Sequence, residues 1–123
     1  MEEREQAREF ALEVAEVAED KKADNVVVLE VINLTPIADF FVICSGSNEK
    51  QVDAIAREIE DEMAEKEITP YRVAGRNQSR WKLIDYENVI VHVFHKEERR
   101  FYELERLWAD AEKILQEAGE KPE

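Results

Sequence analysis

Two short runs, Val26-Val-Val-Leu-Glu-Val31 and Phe40-Phe-Val-Ile-Cys44, constrain this chain more than anything else in it. Each is β-branched or aromatic at almost every position, so an extended backbone presents apolar side chains on both of its alternating faces. Strands of this kind need a covering layer on each side of the sheet, which predicts two central strands of an α/β fold. The link Asn33-Leu-Thr-Pro-Ile-Ala38 is too short for a crossover helix and carries Pro36, so the pair is expected to run antiparallel.

The flanking segments supply the layers. Ala7, Phe10, Ala11, Val14, Val17 and Ala18 recur at three- and four-residue intervals, predicting an amphipathic helix from about Glu2 to Lys21 whose acidic start suits the positive end of the helix dipole. Gly46-Ser47-Asn48 ends the second strand and offers an N-cap to a helix buried through Val52, Ile55, Ala56, Ile59 and Met63 and ending near Lys66. Tyr71 to Ala74 restarts as a strand, and the helix before it predicts a crossover that returns parallel and right-handed. Trp81 to Asp85 and Val89 to His95 flank the polar turn Tyr86-Glu87-Asn88, a hairpin signal. A last helix is expected from about Glu97 to Ala118, buried through Phe101, Leu104, Leu107, Trp108, Ala111, Ile114 and Leu115, with Gly119 just past its end. The order α-β-β-α-β-β-β-α predicts a single α/β domain over residues 1–118 with a mixed five-stranded sheet, followed by a frayed tail over 119–123. It resembles a nucleotidyltransferase core without its metal site.

Composition narrows the function. Thirty acidic against 17 basic side chains give a formal charge of −13, which repels phosphate backbones at long range and favours a basic partner surface. A single Cys cannot form an internal disulfide, and no apolar run reaches the roughly 18 residues that span a bilayer, so a reducing cytoplasm and no membrane contact are expected.

Several residues invite a catalytic or metal reading. Gly46-Ser47 between a strand and a helix is the arrangement with which nucleotidyltransferases hold a triphosphate on backbone N–H groups. Those enzymes also need clustered carboxylates for Mg²⁺ on the following strand, and no acid occurs between Ile68 and Ile84. The plain reading is a capping turn. His92 and His95 with Cys44 suggest zinc, but side chains three apart on a strand face opposite ways. Cys44 reads as a small core residue rather than a nucleophile. Asp39 opens one strand and Asp85 closes another, where a carboxylate caps a turn or stands on a sheet rim. No cofactor is expected. Arg72, Arg76, Arg80 and Lys82, with Tyr71 and Trp81, fill the acid-free window and suit a small RNA contact, or neutralise acids on neighbouring helices.

Asp39-Phe-Phe-Val-Ile43, the run from Gln51 through Ala54 and Ile55, Trp81-Lys-Leu-Ile-Asp85, Val91-His-Val-Phe94 and Phe101-Tyr-Glu-Leu-Glu-Arg-Leu-Trp108 resemble, in order and spacing, the ribosomal silencing factor family, also called RsfS or Iojap. The resemblance covers about Ala23 to Leu115. It departs at Ile68-Thr-Pro70, where the family typically has Gly. It implies a protein that binds the large ribosomal subunit through ribosomal protein L-fourteen, sterically blocks subunit joining and so represses translation, and that forms a homodimer when free. Within those signature words Trp81, Asp85, His92, Tyr102 and Glu105 are the residues least needed for an apolar core, and they are the expected partner surface. The basic window would add a minor rRNA contact. The alternatives from other classes are a nucleotidyltransferase-like phosphoryl-transfer enzyme and an acidic adaptor for another basic protein.

Overall fold

The computed structural model describes residues 2–75, 80–97 and 112–115. Helix α1 (Glu2–Asp20) is followed by β1 (Asp24–Glu30), β2 (Phe40–Gly46), α2 (Glu49–Glu65), β3 (Arg72–Ala74), β4 (Trp81–Asp85), β5 (Val89–His95) and β6 (Glu112–Leu115). The strands form one mixed sheet in the order β3-β4-β5-β2-β1-β6, with β2 and β5 parallel and the other neighbours antiparallel.

The β1 and β2 runs pair antiparallel, as their short link requires. One extra residue sits in β1 between Asp24 and Val27, where Asn25 takes a left-handed φ of 52°, giving a bulge at the start of the strand. Both faces of the pair are buried. Val26, Val28, Phe40, Val42 and Cys44 lie under α1 and α2 with Val89, Val91, Val93 and Ile84. Val27, Leu29, Val31, Phe41 and Ile43 form a second cluster on the opposite face with Ile90 and Phe94. Alanine at 7, 11, 15 and 18 in α1 is buried, so small side chains line the contact of this helix with the sheet and with α2.

Both helices end alike, and neither uses glycine. Lys22 (φ 65°) follows α1, with Lys22 N–H donating to Glu19 O at 2.9 Å and Ala23 N–H to Ala18 O at 3.0 Å. Glu67 (φ 62°) follows α2, with Glu67 N–H donating to Ala64 O at 2.9 Å and Ile68 N–H to Met63 O at 2.9 Å. This is the hydrogen-bonded left-handed cap that usually carries Gly, because a Cβ is strained there. Glu67→Gly is therefore expected to stabilise the protein by about 0.5–1 kcal/mol, less than the full strain because glycine also loses more backbone entropy on folding. A urea midpoint that falls instead would show that the Glu67 side chain contributes more than its strain costs.

Strand β3 does run parallel to β2 after the α2 crossover, yet it is not the neighbour of β2. The parallel partner of β2 is β5, with Phe40 opposite Val89 and Gly46 opposite His95. The hairpin β4–β5 thus fills the space between β2 and β3, and β3 becomes an edge.

The expected last helix needs correction over part of its length. Lys96 and Glu97 begin a helical turn, but residues 112–115 are extended and pair antiparallel with β1, Leu29 opposite Lys113 and Glu30 opposite Glu112. The helical spacing of Ile114 and Leu115 is overridden because β1 has a second edge whose N–H and C=O groups need partners. The remainder of that helix, with Phe101, Leu104, Leu107, Trp108 and Ala111, lies outside the described residues.

Candidate functional site

Alternation along the hairpin sorts its polar and aromatic residues into two surfaces. Lys82 and Ile84 point to the helix side, while Trp81, Leu83 and Asp85 point the other way, beside Ile90, His92 and Phe94 of β5. Three of the five sequence-predicted contact residues, Trp81, Asp85 and His92, therefore share one face. Tyr102 and Glu105 lie outside the described residues.

At the β4 start of this face, Trp81 stands opposite Phe94 in the register and stacks on it, ring centroids 4.8 Å apart and planes at 29°. Its indole Nε1–H donates to His92 Nδ1 at 3.3 Å. His92 meets Phe41 edge-on at 5.3 Å and lies parallel to Phe94 at 6.0 Å. Because Nδ1 accepts, the neutral ring carries its proton on Nε2. Burial lowers the His92 pKa to about 4, since the imidazolium has little water around it. His92 is accordingly a neutral member of an aromatic cluster, and Trp81, half-buried, is the part of that cluster a partner can reach.

Asp85 has a different local task. Its Oδ1 accepts from Glu87 N–H at 2.7 Å, closing the hairpin turn where Glu87 takes a left-handed φ of 75°, and Oδ2 lies 3.8 Å from Arg72 Nε. Asp39 joins the same rim through its backbone, N–H donating to Asn88 O at 2.9 Å and its carbonyl accepting from Val31 N–H at 2.8 Å. Strand β5 separates the two acids by two inter-strand spacings, about 10 Å, too far for one ion.

The other candidates resolve in the same way. Gly46 packs so close to α2 that a Cβ there would lie 2.9 Å from Val52 N. Ser47 N–H is occupied by Gln51 Oε1 at 2.6 Å, and Asn48 Oδ1 caps Gln51 N–H at 2.8 Å. Two of the N–H groups that could face a phosphate, those of Ser47 and Gln51, are thus taken up in capping the helix. His92 and His95 face opposite sides of β5, with His95 Nδ1 accepting from Glu97 N–H at 3.2 Å. Cys44 is fully buried beneath the helices. Among the described residues no group of three His, Cys, Asp or Glu side chains is placed to hold a metal.

The basic window is tied to acids of its own chain. Arg72 lies beside Asp85, and Arg80 contacts Glu97 at 3.1 Å and Glu49 at 3.8 Å. The Arg80 hydrogen bond holds the Glu97 carboxyl below its usual range. Lys82 is buried, its Nζ 3.2 Å from Asp53 Oδ1 and donating to Gly75 O at 3.0 Å. Gly75 is required at that point: at φ 81° a Cβ would meet Trp81 O at 2.3 Å. Arg76 lies outside the described residues. What sequence reading missed is the aromatic floor, Phe94 stacked on Trp81 and Phe41 edge-on to His92. Both looked like ordinary core residues, and only the cross-strand register makes them a platform.

A half-buried indole on an aromatic platform, with a hydrogen-bonded rim at the other end of the hairpin, suits recognition of another macromolecule. Residues 4–123 match the family model described as ribosomal silencing factor during starvation. The chain belongs to this family. Similar silencing factors are those of Halalkalibacterium halodurans, 53% identical over 93 residues covering 76% of this chain and 80% of the relative, and of Bacillus subtilis, 46% identical over 97 residues covering 79% and 82%. A crystal structure of a protein from Bacillus halodurans superposes with a TM-score of 0.74 at 45% identity, covering 85% of this chain and 95% of that one. Silencing factors are named for an action on the ribosome rather than for a reaction. Among the described residues no helix is long and apolar enough to cross a membrane.

Proposed function

We propose that this silencing factor binds the large ribosomal subunit through ribosomal protein L-fourteen and, by its bulk on the intersubunit side, prevents subunit joining and so represses translation. The observation that carries the reading is the Trp81 platform within a chain of this family. An indole already stacked on Phe94 and hydrogen-bonded to His92 loses little freedom on binding and buries a large area. A charge of −13 steers the chain towards basic ribosomal proteins. Within this reading Trp81 makes direct contact, His92 holds the indole, Asp85 holds the turn, and Tyr102 and Glu105 complete the surface. Free chains form a homodimer through the same hairpin, which opens before docking. Any rRNA contact by Arg72, Arg76, Arg80 and Lys82 is minor, because the pairs with Asp85, Glu97, Glu49 and Asp53 would have to be given up.

Sedimentation with separated subunits tests the proposal. The protein is expected to travel with large subunits and not with small ones, and to be retained by purified L-fourteen. Changing Trp81, Tyr102 or Glu105 to Ala should weaken that retention by about 1–3 kcal/mol where the residue is an anchor. Equal sedimentation with both subunits, or with neither at modest salt, sinks it.

A further inference from the structure

Among the described residues the large apolar side chains left exposed are Leu34 (43%), Ile37 (61%) and Tyr71 (74%), and the topology brings all three to one end of the sheet. Leu34 and Ile37 sit in the link from β1 to β2, Tyr71 immediately precedes β3, and the β4–β5 turn lies between them. Asp39 N–H and Phe40 N–H both reach Asn88 O, and Tyr71 N–H donates to Asp85 O at 2.7 Å, so these three loops form one continuous rim. From β2 to β3 it spans three inter-strand spacings, about 15 Å. Trp81 is at the far end of β4, so this rim is separate from the platform.

The backbone that carries these side chains is also held. Ile37 follows Pro36 and its N–H donates to Thr35 Oγ1 at 3.3 Å. Tyr71 follows Pro70 and is tied to β4. Fixed φ angles and local hydrogen bonds mean that little order has to be gained when such residues are covered. Beside Tyr71 is an open recess of about 410 Å³ lined by Thr69, Pro70, Tyr71, Tyr86 and Glu87. Two aromatic rings and a carboxylate suit the aliphatic stem and cationic head of a lysine or arginine. Among the described residues the surrounding charge is acidic: Glu30, Asp39, Glu67 and Glu87 border the rim, while the cations Lys66 and Arg72 lie beside Glu13 at 3.2 Å and Asp85 at 3.8 Å.

We propose that the rim carrying Leu34, Ile37 and Tyr71 is a docking surface for a basic polypeptide segment that also bears apolar side chains. A second copy of this chain does not fit it, because self-pairing would bring Glu30, Asp39, Glu67 and Glu87 of one rim against the same acids of the other. The surface is independent of the platform around Trp81.

The test is fluorescence anisotropy with a dye-labelled peptide of alternating lysine and leucine and a second peptide with serine in place of each leucine. The lysine–leucine peptide is expected to bind about tenfold more tightly than its serine counterpart, a difference of about 1.4 kcal/mol. Ile37→Ser and Tyr71→Ser should remove that difference while leaving the melting temperature unchanged, since both side chains are exposed. Asp20→Asn, at the opposite end of the molecule, should leave it intact. Equal binding of the two peptides, no binding of either at low salt, or full binding to the Ile37→Ser protein would overturn the proposal. So would light scattering showing self-association that Ile37→Ser abolishes, which would give the rim to a second copy. The assay contains no ribosome, so its failure leaves the reading of the Trp81 platform standing.

Discussion

Phe94→Ala is expected to lower stability by about 3–5 kcal/mol, a large share of what a protein of this size possesses. Phe94 is fully buried, packs in the cluster with Ile43 and Ile90, and supports both Trp81 and His92 from below. Truncation removes the transfer energy of the ring and leaves a cavity between two strands whose backbones are fixed by their ladders. A urea titration should show a lower midpoint at unchanged slope. Trp81 emission, isolated in a Trp108→Phe background, should report a looser platform even below the transition. A loss under about 1 kcal/mol would mean that the sheet face can close over the missing ring, and that Trp81 does not depend on it.

The second large effect is an acid limb in stability that originates at His92. Its folded pKa is lowered to about 4 from 6.5. As pH falls, the unfolded chain takes up the proton first, so stability is constant above pH 6.5, declines between 6.5 and about 4, and levels off below. At 1.36 kcal/mol per pH unit the full loss is about 3 kcal/mol. Carboxylates also titrate near the lower end, so the quantity to measure is the difference from His92→Phe, which cannot titrate. That variant should be less stable than the parent near neutral pH, because the Trp81 indole loses its acceptor, and the gap should shrink or reverse as pH falls through the window. Parallel curves would show that His92 is not the proton-binding group. An NMR titration of the His92 ring would give the same answer directly.

The local readings share a reason for their success. Apolar runs over Val26–Val31 and Phe40–Cys44, the 3.6-residue spacing of Val52, Ile55, Ala56, Ile59 and Met63, and the short polar turn before Val89 each reflect burial imposed on near neighbours in the chain. Face assignment along one strand follows from alternation alone, which is why His92 and His95 could be kept apart. Trp81, Asp85 and His92 were grouped as the signature residues least needed for an apolar core, and the β4–β5 register puts them on one face. The roles inside that group were less legible. That His92 is a buried acceptor and Asp85 a turn cap depends on distances of 3.3 Å and 2.7 Å that no pattern encodes. For the basic window the sequence offered acids on neighbouring helices as partners but could not name them: Lys82 finds Asp53, 29 positions earlier in the chain, only because α2 crosses β4.

The sequence by itself determined the element types from α1 through β5, the antiparallel β1–β2 pair, the hairpin, the two-sided core and the family. Those features follow from periodicity, turn chemistry and signature words within short stretches. Tertiary structure decided the insertion of β5 between β2 and β4, the edge position of β3, the extended conformation of residues 112–115, and the gathering of Leu34, Ile37 and Tyr71 on one rim. Strand order and edge pairing are set by which backbone groups remain unpaired once distant segments meet. That competition runs between parts of the chain far apart in sequence, and it can override a helical pattern such as that of Ile114 and Leu115.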